Sequence, residues 1–420
     1  MESNINLKRE KATLIILTIV IFLIYIYHVK DLGIFYVLDD EFGYWSNAAY
    51  FAGLDWSSAA SNIAYYSYGY SILLVPLFWI FENPVLMYQA AIIMNAIMLS
   101  LSFLLCYNIA KKLASGVKSY ILMAISFLIS MYPAYIVQVN VAWCECFLIF
   151  VFWLLTYLLV DLNEKSSPFK LISIGILSVY QFMIHQRSLG MMIACFLVII
   201  LMKLFRKISW KQFAFFILPA LVFLILHSYI KSDIQANLYL NSANIINNDF
   251  SGQIHKIKGI FTTEGFTNII KVFAGQFFYL GASTGLLCYF ALYNLIQNIW
   301  QSIMAFIRKD KQYKNDKIYF YVFILLAFIF SIAISVIFMS TPRRMDHLLY
   351  GRYNEMIIGP IILVGIIKFF DKNKIPIKDF TFILISFGFL AIIVHYILIE
   401  FSLINYNTIC AVALPINPSQ

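Results

Sequence analysis

Long apolar runs, separated by short polar and often basic segments, recur along the whole chain. A helix needs about 20 mainly apolar residues to cross the hydrocarbon core of a bilayer. The runs do not alternate apolar and polar residues, as the strands of a membrane barrel do. The pattern predicts an all-α polytopic membrane protein, a single transmembrane domain over 1–420 with about eleven spanning helices. The predicted spans are 12–30, 85–110, 119–138, 145–160, 170–186, 189–205, 212–230, 270–298, 318–340, 354–370 and 379–401.

The run from Tyr70 to Phe81 is shorter than the others and contains Pro76. We interpret it as a re-entrant or interfacial segment, because a span there would place Lys111, Lys112 and Lys118 on the outer side. Without it, most of the 30 Lys and Arg residues fall in cytoplasmic loops, as the positive-inside bias requires. The sequence thus predicts a multi-pass plasma-membrane protein with a cytoplasmic amino terminus and an external carboxyl terminus.

Two long loops are predicted on the outer side, over 31–84 and 231–269. The second loop is polar and rich in asparagine, and we expect it to cover or gate a site. The first loop should contain interfacial helices with aromatic side chains in the headgroup layer. That prediction rests on a helical spacing of apolar residues at Phe42, Trp45, Ala49, Ala52 and Trp56.

Composition agrees with a membrane protein and narrows the classes of function. Only 12% of the residues are charged, against about a quarter in a typical soluble domain. The net charge of +9 does not indicate a nucleic-acid partner, because positive charge normally gathers in the cytoplasmic loops of membrane proteins. The chain has no GxxxxGK[ST], GxSxG or CxxC motif, which argues against an ATP-driven pump, a serine hydrolase and a thiol oxidoreductase.

Three consecutive acids, Asp39, Asp40 and Glu41, directly follow the first predicted span. Charge is expensive beside a bilayer, so acids there often serve chemistry. A general base must reach the proton of a substrate hydroxyl, and a carboxylate at the outer surface is suited to that task. The same oxygens are suited to hold a divalent cation, so a metal stays open. The alternative is a solvated cluster at a helix start, where acids are favoured.

Arginines flank several predicted spans on the outer side, against the usual bias. Their planar forks match phosphate oxygens and keep their charge at any physiological pH, so we expect them to bind a lipid-linked phosphate. Headgroup anchoring, or pairing with Asp346 and Glu355, is the alternative. The arginines are Arg187, Arg343, Arg344 and Arg352, the last of which is followed by Tyr353.

Tyrosines crowd the first outer loop between Tyr65 and Tyr70. Tyr66 and Tyr68 offer flat faces and hydroxyls for stacking on sugars, together with Asp39 as a further substrate contact. The alternative is an ordinary aromatic belt at the membrane interface.

Glu145 opens a predicted span, and an acid in such an apolar setting needs a partner or a purpose. Arg187 lies in a tight outer turn between two later spans and is a suitable partner. A structural Glu145–Arg187 pair and a direct contact of Glu145 with substrate are equally compatible with the sequence.

These residues resemble those of the GT-C superfamily of membrane glycosyltransferases, in particular the dolichyl-phosphate-mannose protein mannosyltransferases and the aminoarabinose transferases of lipid A. The features that match, in order, are Asp40-Glu41 after the first span with Tyr44, Ala48 and Ala49 behind it, the Tyr65–Tyr70 segment, Pro133 with Glu145, and Arg352-Tyr353 with Pro360 beyond.

The resemblance implies a GT-C-like helix bundle and an inverting transfer from a polyprenyl-phosphate sugar donor. The acceptor would be a hydroxyl of a glycan, lipid or protein on the extracytoplasmic face. Asp40 would be the general base and Glu41 would orient it or place the acceptor. We expect the acids and the arginines to meet at one external site.

Two other functions share much of this pattern. A transporter or flippase for a lipid-linked glycan would use the same arginines, but it favours ionisable residues near the bilayer midplane and repeated halves, neither of which the sequence displays. A polysaccharide polymerase would differ in acceptor rather than in chemistry. The sequence does not separate that class from a glycosyltransferase.

Overall fold

Three of the long described helices begin where a Ser or Thr side chain accepts from a backbone N–H group of the first turn. Ser209 and Gln212 form a capping box at the start of one long helix. The Ser167 side chain accepts from Lys170 N, and Pro168 occupies the first helical position that follows it. Thr262 caps another helix by accepting from the backbone N–H three residues on. These caps fix where the apolar segments start.

The structure is a computed structural model that describes residues 2–164, 166–240, 256–310, 315–341, 345–370 and 375–400. Within those ranges it contains helices and no strand. The first helices are α1 (Glu2–Tyr25), η1 (Val29–Asp31), α2 (Leu38–Phe51), α3 (Ser57–Ala60), α4 (Ser71–Ile80), α5 (Pro84–Leu113), α6 (Ser119–Ser130), α7 (Pro133–Gln138) and α8 (Glu145–Glu164). The others are α9 (Pro168–Ile184), η2 (Gln186–Ser188), α10 (Leu189–Leu204), α11 (Trp210–Asn237), α12 (Thr263–Ser283), α13 (Leu287–Ile307), α14 (Ile318–Phe338), α15 (Met345–Leu348), α16 (Glu355–Lys368) and α17 (Ile377–Glu400).

The chain divides into two units. The first comprises Met1–Leu105 and Tyr135–Ile254, and the second comprises Cys106–Ala134 and His255–Gln420. In the first unit α9 packs against both α8 and α11, and α2 packs against α4. In the second unit α13 packs against α14 and α16, while α12 packs against α14 and α17.

The described helices include seven that are long and apolar enough to cross a membrane, or eight if one bent pair counts as a single span. The protein is therefore a multi-pass helical membrane protein. All seven overlap spans predicted from the sequence. The other four predicted spans correspond to shorter or interrupted helices, namely α6 with α7, α9, α12 with α13, and α16.

The predicted span 270–298 is not one straight helix, because α12 and α13 meet at an angle of 103°. Whether the bent pair forms a single span stays a prediction. Gly285 and Leu286 both adopt left-handed backbone conformations at the bend, with φ of +56° and +67°. Leu286 N donates to Gly281 O at 2.7 Å, and Thr284 Oγ1 accepts from Cys288 N at 3.1 Å. Glycine tolerates that conformation readily, so Gly285 allows α12 to end inside an apolar run.

Helix α2 in the first loop is more buried than its apolar spacing predicted, and its place at the membrane interface stays a prediction. Helix α2 ends at Phe51, and its residues from Gly43 to Ala49 are all buried. The Trp45 ring packs against Tyr88 and Phe78 inside the protein. The helical spacing was real, but small and aromatic residues on the remaining faces of α2 also pack inside the protein.

Two further predictions concern the short segment at α4 and the second outer loop. Helix α4 has only 10 residues and contains Pro76, in agreement with a segment that does not span. The second outer loop begins later than predicted, because α11 continues to Asn237. Residues 241–255 of that loop lie outside the described ranges.

Candidate functional site

The three acids form the first turn of α2, where the helix dipole favours negative charge. Successive residues of a helix point about 100° apart, so the three carboxylates meet different surroundings. Asp39 is exposed, Asp40 is half-buried and Glu41 is completely buried. The three adjacent acids therefore differ in their access to solvent, and only Asp39 and Asp40 can be reached from outside the protein.

Glu41 lies at the junction of three segments of the first unit. Its Oε2 accepts from Tyr36 N at 2.6 Å and Val37 N at 2.7 Å, which completes the backbone turn before α2. Its Oε1 accepts from the Tyr88 hydroxyl at 2.7 Å and from Ala142 N at 2.9 Å. Both oxygens thus hold two donors each, which makes Glu41 a clamp between α2, α5 and the turn before α8.

Burial raises the pKa of Glu41, although its backbone donors and the Tyr88 hydroxyl oppose the shift. A buried carboxyl that accepts four hydrogen bonds has no open side for a substrate. These contacts favour a positioning role for Glu41 over the catalytic role predicted from the sequence.

Asp40 has a different partner on the other side of α2. The Tyr66 hydroxyl donates to Asp40 Oδ1 at 2.6 Å, and both side chains are half-buried. A charge-assisted O–H···O bond of this length is among the stronger hydrogen bonds in proteins. It fixes the carboxylate in one orientation while the pair keeps access to the surroundings.

Tyr66 is itself held by α2. Its ring lies directly over Gly43, where an added Cβ would come within 2.1 Å of Tyr66 Cδ2. Asn47 Nδ2 donates to the Tyr66 carbonyl at 2.9 Å, and the Tyr239 hydroxyl donates to Asn47 Oδ1 at 3.0 Å. The contact between Asp40 and Tyr66 therefore depends on a glycine one turn further along the same helix.

Glu145 and Arg187 form a buried ion pair through Oε2 and Nη2, with 3% and 1% of their side chains exposed. The predicted pairing is thus confirmed. Next to Glu145 in sequence, Cys144 Sγ lies 2.9 Å from the Tyr44 hydroxyl, and the Tyr44 ring packs edge-on against Tyr66. A path of direct contacts thus leads from Asp40 through two tyrosines to the residue beside the ion pair.

Removing one member of a buried ion pair typically costs 3–5 kcal/mol, on the order of half the stability of a domain. This burial favours a structural role for Arg187 and Glu145, in which the pair holds the start of α8 against the turn before α10. The predicted contacts of Arg187 with phosphate and of Glu145 with substrate stay predictions.

Tyr68 is completely buried, unlike Tyr66. Its hydroxyl lies 3.1 Å from His227 Nδ1, and its ring stacks on that histidine. It belongs to a hydrophobic cluster with Val179, Met183 and Tyr239. In this position Tyr68 packs α9 and α11 together, and it offers no face to a sugar.

The end of α11 lies against α2, where the second outer loop begins. The Tyr50 hydroxyl donates to Asp233 Oδ2 at 2.8 Å, and Asn237 Nδ2 donates to Tyr50 Oη at 3.3 Å. Leu240 N donates to Ser61 Oγ at 3.1 Å. The end of α11 therefore packs against the acid-bearing helix, and a covering role for the loop that follows stays a prediction.

The arginine segment near the end of the chain belongs to the second unit. Arg343 and Arg344 lie outside the described residues. Arg352 is buried at 5% exposure and Tyr353 is half-buried. Glu355 is also buried and accepts from the Tyr279 hydroxyl at 2.7 Å. The segment that contains Arg352 also contains two buried acids, Glu355 and Asp346.

Among the described residues, no group of three or more His, Cys, Asp and Glu side chains is arranged to hold a metal ion. An open apolar cavity of about 430 Å³ lies beside α2, with Leu38, Trp45, Trp56 and Tyr88 in its wall. Leu38 and Trp45 share one face of the helix, and Asp40 points about 200° away from it. The cavity is therefore behind the acid-bearing face.

Several residues that build this site were not predicted from the sequence. Gly43, Asn47, Tyr88 and Tyr239 hold Tyr66 or Glu41, yet none belongs to a recognisable motif. Gly43 was the one available signal, because a glycine within a helix often marks a close approach of another group.

No known protein-family model matches the chain, and no curated protein matches it in sequence.

Proposed function

We propose that this protein is a glycosyltransferase that moves a sugar from a polyprenyl-phosphate donor to an acceptor hydroxyl, with Asp40 as the general base. The observation that supports it best is the Asp40–Tyr66 pair. A base needs a fixed carboxylate that a substrate can still reach, and Asp40 is half-buried with its Oδ1 held at 2.6 Å by the Tyr66 hydroxyl.

The reaction would be a single displacement. Asp40 takes the proton from the acceptor hydroxyl while that oxygen attacks the anomeric carbon. The bond from the anomeric carbon to the phosphate oxygen breaks, and polyprenyl phosphate leaves with the electron pair. The anomeric configuration is thereby inverted.

The leaving phosphate gains negative charge, which a preorganised cation can stabilise. One such group is typically worth about 3 kcal/mol of barrier in a site that excludes water. The candidates are the predicted phosphate ligands Arg343, Arg344 and Arg352, whose charge does not depend on pH. Tyr353 and Asp39 remain proposed contacts for the donor and the acceptor.

Glu41 and the Glu145–Arg187 pair would position the site rather than react. Glu41 fixes the turn before α2 through its four donors, which sets the direction of the helix that carries Asp40. The ion pair lies beside Tyr44, whose ring supports Tyr66. Both features reduce the freedom of the proposed base.

The proposal includes the finer architecture inferred from the sequence. The chain would form a GT-C-like bundle of about eleven spans in the plasma membrane, with its amino terminus in the cytoplasm. The acid-bearing helix α2 would face the extracytoplasmic side, where lipid-linked sugars are presented after they cross the membrane. A glycan, a lipid or a protein would supply the acceptor hydroxyl.

The test uses purified full-length protein in liposomes that contain polyprenyl-phosphate sugars labelled in the sugar. We expect release of polyprenyl phosphate and transfer of the label to acceptors extracted from cell envelopes. Movement of intact donor across the bilayer without cleavage would support the flippase instead. Absence of both cleavage and transfer for every sugar tested would contradict the proposal.

A further inference from the structure

The second unit contains an open polar cavity of about 840 Å³, lined by the ends of several of its helices. It lies where the loop after α5 meets the start of α6, the segment before α14 and the last turn of α16. This volume is in the range of pockets that bind small molecules. It shares no described residue with the proposed catalytic site.

Among the described residues, three lysines line this cavity together with a single acid, Asp316. Lys368 is the most informative, because it is only 3% exposed at the end of α16 and is one of the few charged residues buried so deeply in the described chain. Lys317 uses one donor on the Leu113 carbonyl, and Lys118 is exposed at the cavity edge. The described lining therefore carries a net excess of positive charge.

Three asparagines also line the cavity, and hydrogen bonds hold two of them in place. Asn298 Nδ2 donates to Asn294 Oδ1 at 2.7 Å, and Asn315 Nδ2 donates to Ser302 Oγ at 3.0 Å. Ser302 in turn donates to the Asn298 carbonyl at 2.8 Å. The asparagines are thus preorganised, and the three lysines are the cationic groups of the described lining.

Each lysine has a simpler explanation when taken alone. A lysine at the end of α16 is favoured by the helix dipole, and lysines before a span follow the positive-inside bias. These explanations do not account for a cavity large enough for a headgroup, with a buried lysine in its wall. An anion in this cavity would meet positive charge from three segments of the chain at once, which carry Lys118, Lys317 and Lys368.

We propose that this cavity, which we call the lysine cavity, binds a phosphate-bearing anion through Lys118, Lys317 and Lys368. The shared chemistry fits either the phosphate of an anionic lipid headgroup or a soluble phosphate compound. The sequence predicts the cytoplasmic side for the segments that form the cavity. This inference does not depend on glycosyl transfer, and it survives if that proposal fails.

Binding is measured with purified full-length protein, by native mass spectrometry for phosphatidylglycerol and by isothermal calorimetry for inorganic pyrophosphate. Lys368→Met and Lys118→Met each remove one charge from the cavity. We expect each to weaken binding by at least about tenfold, since each variant removes a hydrogen bond between a charged group and the anion. Raised salt should also weaken binding in the wild type.

Lys111→Met is the matched control, because Lys111 is an exposed lysine near the end of α5 that does not line the cavity. Its binding should stay within about twofold of the wild type. Retention of phosphatidylglycerol alone identifies a headgroup site, and pyrophosphate binding identifies a site for soluble phosphates. The proposal is overturned if neither probe binds, or if Lys111→Met weakens binding as much as Lys118→Met does. Lys118 is exposed, so its variant tests the proposal even if Lys368→Met does not fold.

Discussion

At the scale of single residues, the three acids at the start of α2 lie in three different environments. Adjacent positions 39 to 41 look equivalent in the sequence, yet one is exposed, one is half-buried and one is interior. The partners of Glu41 come from Tyr88 and Ala142, which are 47 and 101 residues away. Such distant contacts depend on tertiary packing, which no local pattern encodes. The Glu145–Arg187 pair was predictable, because opposite charges in apolar surroundings have few other partners.

Tyr66→Phe tests whether the tyrosine positions Asp40. The variant keeps the ring over Gly43 but removes the hydroxyl that donates to Asp40 Oδ1. We expect the rate of sugar transfer to fall about tenfold, which corresponds to one lost hydrogen bond to a charged group. The acidic limb of the pH–rate profile should move to higher pH, because a carboxylate that loses a donor is protonated more easily.

The pH profile separates a positioning role from a packing role. A variant that merely loosens the loop would lower the rate at every pH without moving the limb. An unchanged rate together with an unchanged profile would show that the hydroxyl does not act on Asp40.

Glu41→Gln tests the clamp before α2. Glutamine has one side-chain oxygen, whereas backbone N–H groups meet both oxygens of Glu41, so at least one buried donor loses its acceptor. We expect the free energy of unfolding to fall by about 1–3 kcal/mol, measured by denaturant titration in detergent. The exposed Glu82 provides the control Glu82→Gln, which should leave stability unchanged. Equal stability of the two variants would contradict the clamp.

The raised pKa of Glu41 gives this variant a pH signature. The native state binds the proton more tightly than the unfolded chain, so the contribution to stability is full below the ordinary pKa of 4.5 and is lost as pH rises through the raised value. The stability gap between the wild type and Glu41→Gln should therefore narrow as pH rises above 4.5. A gap that widens with pH would contradict the assigned direction.

At the scale of helices, the apolar periodicity predicted most of the described helices. It did not predict the bend between α12 and α13 or the second buried face of α2. The bend between α12 and α13 lies in an apolar run, and Gly285 was its main signal in the sequence. The amphipathic interpretation of α2 was incomplete, because Gly43, Ser46 and Asn47 on its other faces are also buried. Small and polar residues fit equally well on a solvated face and in a close helix contact.

Gly43→Ala tests the close approach between α2 and the tyrosine segment. The new methyl group would lie 2.1 Å from the Tyr66 ring, so the ring must move away from Asp40. We expect a loss of sugar transfer at least as large as that of Tyr66→Phe, and a destabilisation of about 1–3 kcal/mol from overpacking. Thermal unfolding and transfer assays measure the two effects.

Gly388→Ala is the matched control, because a Cβ at Gly388 meets no atom within 4 Å. Alanine in a helix is favoured over glycine, so this variant should be as stable as the wild type or slightly more stable. The account of α2 is contradicted if Gly43→Ala behaves like this control.

At the scale of the whole molecule, the class of protein followed from the sequence more readily than the number of spans. Seven described helices satisfy the requirements for crossing a membrane on their own. The shorter helices do not have that length, so apolar composition alone could not decide whether they span. Orientation rests on the distribution of Lys and Arg, which is a prediction from the sequence.

Cysteine labelling in intact cells tests the orientation. Glu82 and Arg308 are exposed, and they lie in segments predicted to be external and cytoplasmic, respectively. A membrane-impermeant maleimide should label Glu82→Cys in intact cells, and should label Arg308→Cys only after the membrane is opened. The described native cysteines are all buried, which limits background labelling. The reverse pattern would invert the proposed topology.

The most direct measurement is the rate of sugar transfer from a polyprenyl-phosphate donor by Asp40→Asn, beside the matched Asp31→Asn. Asp31 is an exposed acid in the same outer loop, with 77% of its side chain accessible. Loss of a general base should lower the rate of Asp40→Asn by about 10²–10⁴-fold, while Asp31→Asn keeps the wild-type rate. If folded Asp40→Asn transfers sugar as fast as the wild type, Asp40 is not the base and the proposed mechanism is wrong.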